Sequence, residues 1–156
     1  MDFPNWNSRT YTEGCRFTTM TTLVIYASLT GNTRAVAEYI AQKTGGMAVD
    51  IKKAPKDLGP YDTIIFGSRV HAGGTSKPMQ RYIGENYGVL QEKRVAFYVC
   101  CMFTDEKAEK QLMDASVALG ISNGDYFVAG KKLAVDGTRI DEYIAKVESL
   151  PVGDMI

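Results

Sequence analysis

The chain has 156 residues, 45% of them hydrophobic, enough for one domain with its own core and too few for two. Lys plus Arg and Asp plus Glu number 18 each, and the resulting zero net charge argues against nucleic acid or an anionic membrane surface as an obligatory partner. No apolar run approaches the roughly 20 residues of a membrane span.

Residues 1–20 are polar, flecked with aromatics and without helical or strand period, so they are expected to form a flexible tail. Asp2 and Glu13 stand where a signal peptide would need a basic start and an apolar core. Met20 directly precedes the first strand, and the folded domain is expected to span 21–150, with 151–156 a C-terminal tail. Cys15, Cys100 and Cys101 are too few and too unevenly spaced for a disulfide framework or a metal site. They read as structural thiols of a reducing, cytoplasmic compartment.

The apolar run 23–27 reads as a strand buried on both faces, as in a parallel sheet. A hydroxyl-rich turn with Ser28, Thr30 and Thr33 follows, and then a helix whose inner face carries Val36, Ala37, Ile40 and Ala41. Gly45 and Gly46 end that helix. Residues 47–51 form a second short strand, and the Lys/Pro-containing stretch to Pro60 has no helical pattern, so this crossover is expected to be an irregular loop. A third strand, 63–68, leads into a loop containing Arg69, His71, Gly73 and Gly74, behind which Met79, Tyr82, Ile83 and Tyr87 fall at helical spacing. The fourth strand is 94–102. A helix capped by Thr104 or Asp105 follows it, with Ala108, Leu112, Ala115 and Leu119 inward. Residues 126–129 make a fifth strand, and Ile140, Ile144 and Val147 mark a last helix. Strands alternating with helices predict a parallel sheet with helices on both faces, an α/β three-layer sandwich.

The turn after the first strand aims free backbone N–H groups and hydroxyls at the amino end of a helix, a ready anion site. It is not a Walker loop, since no Lys follows the glycine, and it has one glycine where the dinucleotide fingerprint has three. Neutral donors alone imply the terminal phosphate of a mononucleotide. Val24-Ile25-Tyr26-x-Ser28-x-x-Gly31-x-Thr33-x-x-x-Ala37-x-x-Ile40 resembles the flavodoxin phosphate-loop signature at every specified position.

That resemblance implies a flavodoxin-like fold with strand order 2-1-3-4-5, an order for which flavodoxin itself is the standing example, with FMN at the switch point between strands 1 and 3. By resemblance the cofactor is FMN. Ser28, Leu29, Thr30, Gly31, Asn32 and Thr33 are expected at its phosphate, and Ser68, Arg69, Val70, His71, Ala72 and Gly73 along the edge of its ring system. Met102, Phe103 and Thr104 are expected on a third side. The Ala72-Gly73 or Gly73-Gly74 peptide is the candidate to reorient when the ring is reduced. His71, the single histidine, is the candidate proton donor or charge beside the reduced ring, and Arg69 could act similarly. Neither ring loop carries the Trp and Tyr that sandwich the ring in many flavodoxins, and Trp6 lies in the tail.

The stretch Gly67-Ser68-Arg69-Val70-His71-Ala72-Gly73 also resembles the subgroup containing menaquinone-dependent protoporphyrinogen oxidase. Two functions follow. The first is an FMN redox protein carrying electrons between a reductase and a partner protein. The second is an oxidoreductase acting on a quinone or porphyrinogen-type small molecule, towards which the lack of an acidic steering field leans. A phosphoryl-accepting receiver domain shares the strand order but needs acidic residues where Ser28 and Ser68 stand. A flavin-free scaffold would leave the phosphate loop unexplained.

Overall fold

The computed structural model describes residues 21–27, 31–69, 76–101, 105–128 and 137–153. The elements in chain order are β1 (Thr22–Ala27), α1 (Gly31–Thr44), β2 (Met47–Asp50), β3 (Thr63–Arg69), α2 (Lys77–Glu85), α3 (Tyr87–Leu90), β4 (Arg94–Cys101), α4 (Asp105–Leu119), β5 (Gly124–Val128) and α5 (Gly137–Glu148). The strands form one five-stranded parallel sheet in the order β2-β1-β3-β4-β5, the order expected from the sequence.

The strands β1, β3 and β4 are apolar on both faces because both faces are covered. On one face Leu23, Ile25, Ile64, Phe66, Val95, Phe97 and Val99 pack with Met79 and Ile83 of α2, Leu90 of α3, and Ala115 and Leu119 of α4. On the other, Val24, Tyr26, Ile65, Ala96, Tyr98 and Cys100 pack with Val36, Ala37 and Ile40 of α1 and Ile140, Tyr143, Ile144 and Val147 of α5. Each fully buried aliphatic or Phe side chain contributes about 1.5–3 kcal/mol to folding, so these two layers supply most of the drive. The chain leaves β1 towards α1 on one face and returns from β3 to α2 on the other, which places the switch point between β1 and β3.

Local chemistry sets the ends of these elements. Gly45 takes φ +72° and closes α1, and the Gly46 N–H donates to the Ala41 carbonyl at 2.9 Å, the six-to-one bond of a Schellman end. The β2–β3 connection has no α-helix, as expected. Asp50 accepts from the Lys52 N–H at 2.9 Å to open a short 3₁₀ turn (Ile51–Lys53), and buried Leu58 anchors the rest to the core. Ile51 belongs to that turn, so β2 is one residue shorter than expected.

Two other boundaries differ from expectation. The helix behind β3 does not run on through Tyr87. Asn86 donates both its N–H and its side-chain amide to the Tyr82 carbonyl, closing α2, and Tyr87 opens the separate α3. That local bond competes with helix continuation, as Asn side chains do. The strand β4 is described as far as Cys101, and Met102, expected as its last residue, lies outside the described residues. The strand β5 begins earlier, at Gly124, where the Phe97 N–H reaches back to the Asn123 carbonyl at 2.9 Å. Cys100 is buried, and Cys15 lies outside the described residues. Among the described residues no helix is long and apolar enough to cross a membrane.

Candidate functional site

The carboxyl ends of β1 and β3 lie side by side at the switch point with β4 next in the sheet, and α1 opens at Gly31. Gly31 opens α1 and is exposed, with no atom within 4 Å of where a Cβ would stand. Its φ is not positive, so room rather than backbone freedom distinguishes this glycine. The first turn of α1 carries no acidic residue, so no like charge opposes an anion at the positive end of the helix dipole.

Thr33 is the feature that marks this end of the helix. It is fully buried, and its Oγ1 has no hydrogen-bond partner among the described residues. A buried hydroxyl without a partner costs about 1–3 kcal/mol and calls for an explanation, as does the buried Thr63 hydroxyl at the far end of β3. The Thr33 carbonyl, in contrast, is well served: the buried Tyr98 hydroxyl donates to it at 2.7 Å. Asn32 beside it is half-buried.

On β3, Ser68 is also fully buried. Its Oγ donates to the Arg69 carbonyl at 3.2 Å and accepts from the Ser76 N–H at 3.3 Å, so one hydroxyl clasps the two ends of the loop between β3 and α2. Ser76 in turn caps α2, accepting from the Met79 N–H at 3.4 Å, with Pro78 in the first turn. Arg69 ends β3 half-buried, opposite Cys100 of β4.

The structure thus brings Gly31, Asn32, Thr33, Ser68 and Arg69 to one edge of the sheet. Ser28, Leu29, Thr30, Val70, His71, Ala72, Gly73, Met102, Phe103 and Thr104 lie outside the described residues. Among the described residues no cluster of His, Cys, Asp and Glu could hold a metal.

Two residues at this edge were not singled out by sequence. Tyr98 reaches Thr33 from β4 across β3, and its ring passes over Gly67, where a Cβ would overlap Cζ and the hydroxyl oxygen. A lone glycine inside an otherwise apolar strand is the signal that could have found the pair, because it marks a close approach.

Residues 23–130 match the family described as the flavodoxin domain. A flavodoxin from Maridesulfovibrio salexigens is 29% identical, with 86% of this chain and 82% of that protein covered. An NAD(P)H dehydrogenase (quinone) from Archaeoglobus fulgidus is 28% identical over 54% of this chain, and the match spans 61% of the relative's length. Among solved structures, a flavoprotein in complex with FMN from Lactobacillus acidophilus superposes with TM-score 0.58 at 17% identity, covering 80% of this chain and 98% of that one. The chain belongs to the flavodoxin domain family and is an FMN-binding, flavodoxin-like redox protein. The residues present fit the cofactor's phosphate: an acid-free helix start, open space over Gly31 and a buried hydroxyl in want of a partner.

Proposed function

We propose that this chain carries electrons between a reductase and an acceptor through FMN held at the β1/β3 switch point. The observation that carries the reading is the buried, unpartnered Thr33 hydroxyl at the amino end of α1. In this reading Ser28, Leu29, Thr30, Gly31, Asn32 and Thr33 hold the phosphate with N–H groups and hydroxyls. Charge-assisted hydrogen bonds contribute roughly 1.5–3 kcal/mol each, so most of the cofactor affinity resides there.

Bound FMN supplies reversible uptake and release of electrons, singly or in pairs. The chain's own residues do the rest. Ser68 holds both ends of the second loop, so that Arg69, Val70, His71, Ala72 and Gly73 are presented along the ring edge. Arg69 and His71 supply positive charge or a proton beside the reduced ring. One charge worth about 1.4 kcal/mol to the reduced form moves a one-electron potential by roughly 59 mV. Met102, Phe103 and Thr104 cover the ring from the third loop. Residues 21–150 form the functional domain, and the odd, sparse cysteine count with Cys100 buried supports a reducing, cytoplasmic setting.

A second reading is favoured by the quinone dehydrogenase relative and by the zero net charge, which lacks the acidic field of a steered shuttle. Here the chain is an oxidoreductase passing electron pairs to a quinone or porphyrinogen-type molecule. Anaerobic reductive titration of the yellow protein separates the two. Reduction in two resolved one-electron steps, with no turnover of NAD(P)H and quinone, supports the carrier. Paired electrons with quinone turnover support the oxidoreductase. A protein that takes up no FMN at all defeats both.

A further inference from the structure

We propose that Tyr98 is a positioning residue for the first turn of α1, which it holds at its working height above the sheet through the Thr33 carbonyl. This rests on the reading of that turn as the phosphate site. Four observations carry it.

First, the contact is long-range and direct. Tyr98 lies in β4, two strands from β1, yet its hydroxyl donates at 2.7 Å to the backbone oxygen of the one first-turn residue whose side-chain hydroxyl is buried without a partner. Second, the path is cleared for it, because Gly67 is the register partner of Tyr98 and any Cβ there would overlap the ring. Third, the ring cannot retreat. Phe127 of β5 stands 5.7 Å away, centre to centre, and Tyr143 of α5 stands edge-on at 6.3 Å, while Tyr143 itself packs against Phe127 at 5.5 Å. Fourth, the donor is permanent. Burial, with the Cys100, Tyr143 and Tyr26 side chains adding to it, holds the Tyr98 phenol well above its ordinary value, so it stays protonated wherever the fold persists.

The physical consequence is that α1 is tied to the sheet at its binding end, not only along its apolar stripe of Val36, Ala37 and Ile40. Hydrophobic packing is non-directional and tolerates small slides, whereas a buried O–H···O bond fixes one atom. The Thr33 carbonyl and hydroxyl belong to the same residue. Whatever locates the first therefore also aims the second at the phosphate. A shift of the turn by a fraction of an ångström would weaken several phosphate bonds together.

The test compares FMN with riboflavin, which has the same ring and no phosphate, by titrating the full chain after flavin removal. The ratio of the two dissociation constants isolates the phosphate turn. In Tyr98→Phe the ring still covers Gly67, so the fold is retained. The FMN preference is then expected to fall by about fivefold, the equivalent of one modest hydrogen bond, with riboflavin affinity unchanged.

Tyr143→Phe is the control. It deletes a second buried hydroxyl from the same aromatic group, one that donates at 2.7 Å to the Phe97 carbonyl rather than to α1. It should lower stability comparably and leave the ratio alone. A ratio in Tyr98→Phe within about twofold of the parent, or an equal fall in both variants, overturns the proposal. A parent protein that binds riboflavin as tightly as FMN overturns the phosphate reading itself.

Discussion

Phe97 lies across Gly124, its register partner on β5, so closely that a Cβ at residue 124 would overlap Cε1 and Cζ of the ring. One residue later, Tyr98 lies across Gly67 on the opposite neighbour and the opposite face. The strand β4 therefore carries consecutive rings, each laid over a glycine, and its register is keyed on both sides. A slip of one residue would drive a Cβ under each ring. Gly124→Ala is expected to destabilise the fold by about 1–3 kcal/mol through overpacking. Urea denaturation should show a lower midpoint at unchanged slope. Adding Phe97→Leu should recover part of the loss. Strict additivity in that double-mutant cycle would refute the contact as its cause.

Thr33→Val separates folding from binding. It replaces a buried, unpartnered hydroxyl with a methyl group of similar size, so the flavin-free protein should be as stable as the parent or more so. FMN affinity should fall, and by more than in Phe103→Ala. Losing a charge-assisted bond costs about 1.5–3 kcal/mol, against about 0.5–1.5 kcal/mol for a ring contact beyond its buried area. Thermal melts with and without FMN, beside fluorescence titrations of both variants, provide the check; the reverse ranking would count against a phosphate-dominated site.

Ser68→Ala should loosen the second loop while leaving the sheet intact. The substitution removes the acceptor for the Ser76 N–H. Amide exchange at Ser76 should accelerate by about fivefold, with β3 protection unchanged, since one ordinary hydrogen bond is worth about 1 kcal/mol. Unaltered exchange at Ser76 would show that the clasp carries no weight.

Stability should fall on the alkaline side of pH 10. Burial, and next the neighbouring Tyr61, push the Tyr82 phenol up from 10.0 to about 12, and its hydroxyl donates to the Pro55 carbonyl at 2.5 Å. Burial also raises Tyr98 and Tyr143 well above the ordinary value. The folded values exceed the unfolded ones, so the unfolded chain releases protons first. The stabilisation is complete below pH 10 and drains away as pH rises through about 12 for Tyr82. Chemical denaturation on both sides of pH 10 should give a negative slope, reduced in Tyr82→Phe. A flat profile in the parent would contradict the burial of these phenols.

Much of this fold was legible in one dimension. Runs such as Leu23-Val24-Ile25 and Ile64-Ile65-Phe66 alternate with helical stripes, which demands a parallel sheet covered on both faces. The hydroxyl-rich stretch ending at Thr33 reads as an anion site because near neighbours in sequence alone supply its donors. Boundaries set by a single side-chain bond were harder. Asn86 turns back onto Tyr82 and splits what spacing read as one helix, and nothing in the apolar pattern records that choice.

What sequence determined here is whatever depends on near neighbours: strand, turn, helix, and the chemistry each loop can offer. Only the tertiary structure decided how those offers are used. It gave the Ser68 hydroxyl to the loop's own base, left the Thr33 hydroxyl without a partner, and brought Tyr98 across 65 positions to the Thr33 carbonyl. The reason is physical: a hydrogen bond acts over about 3 Å in space, and separation along the chain says nothing of that distance until the sheet has assembled.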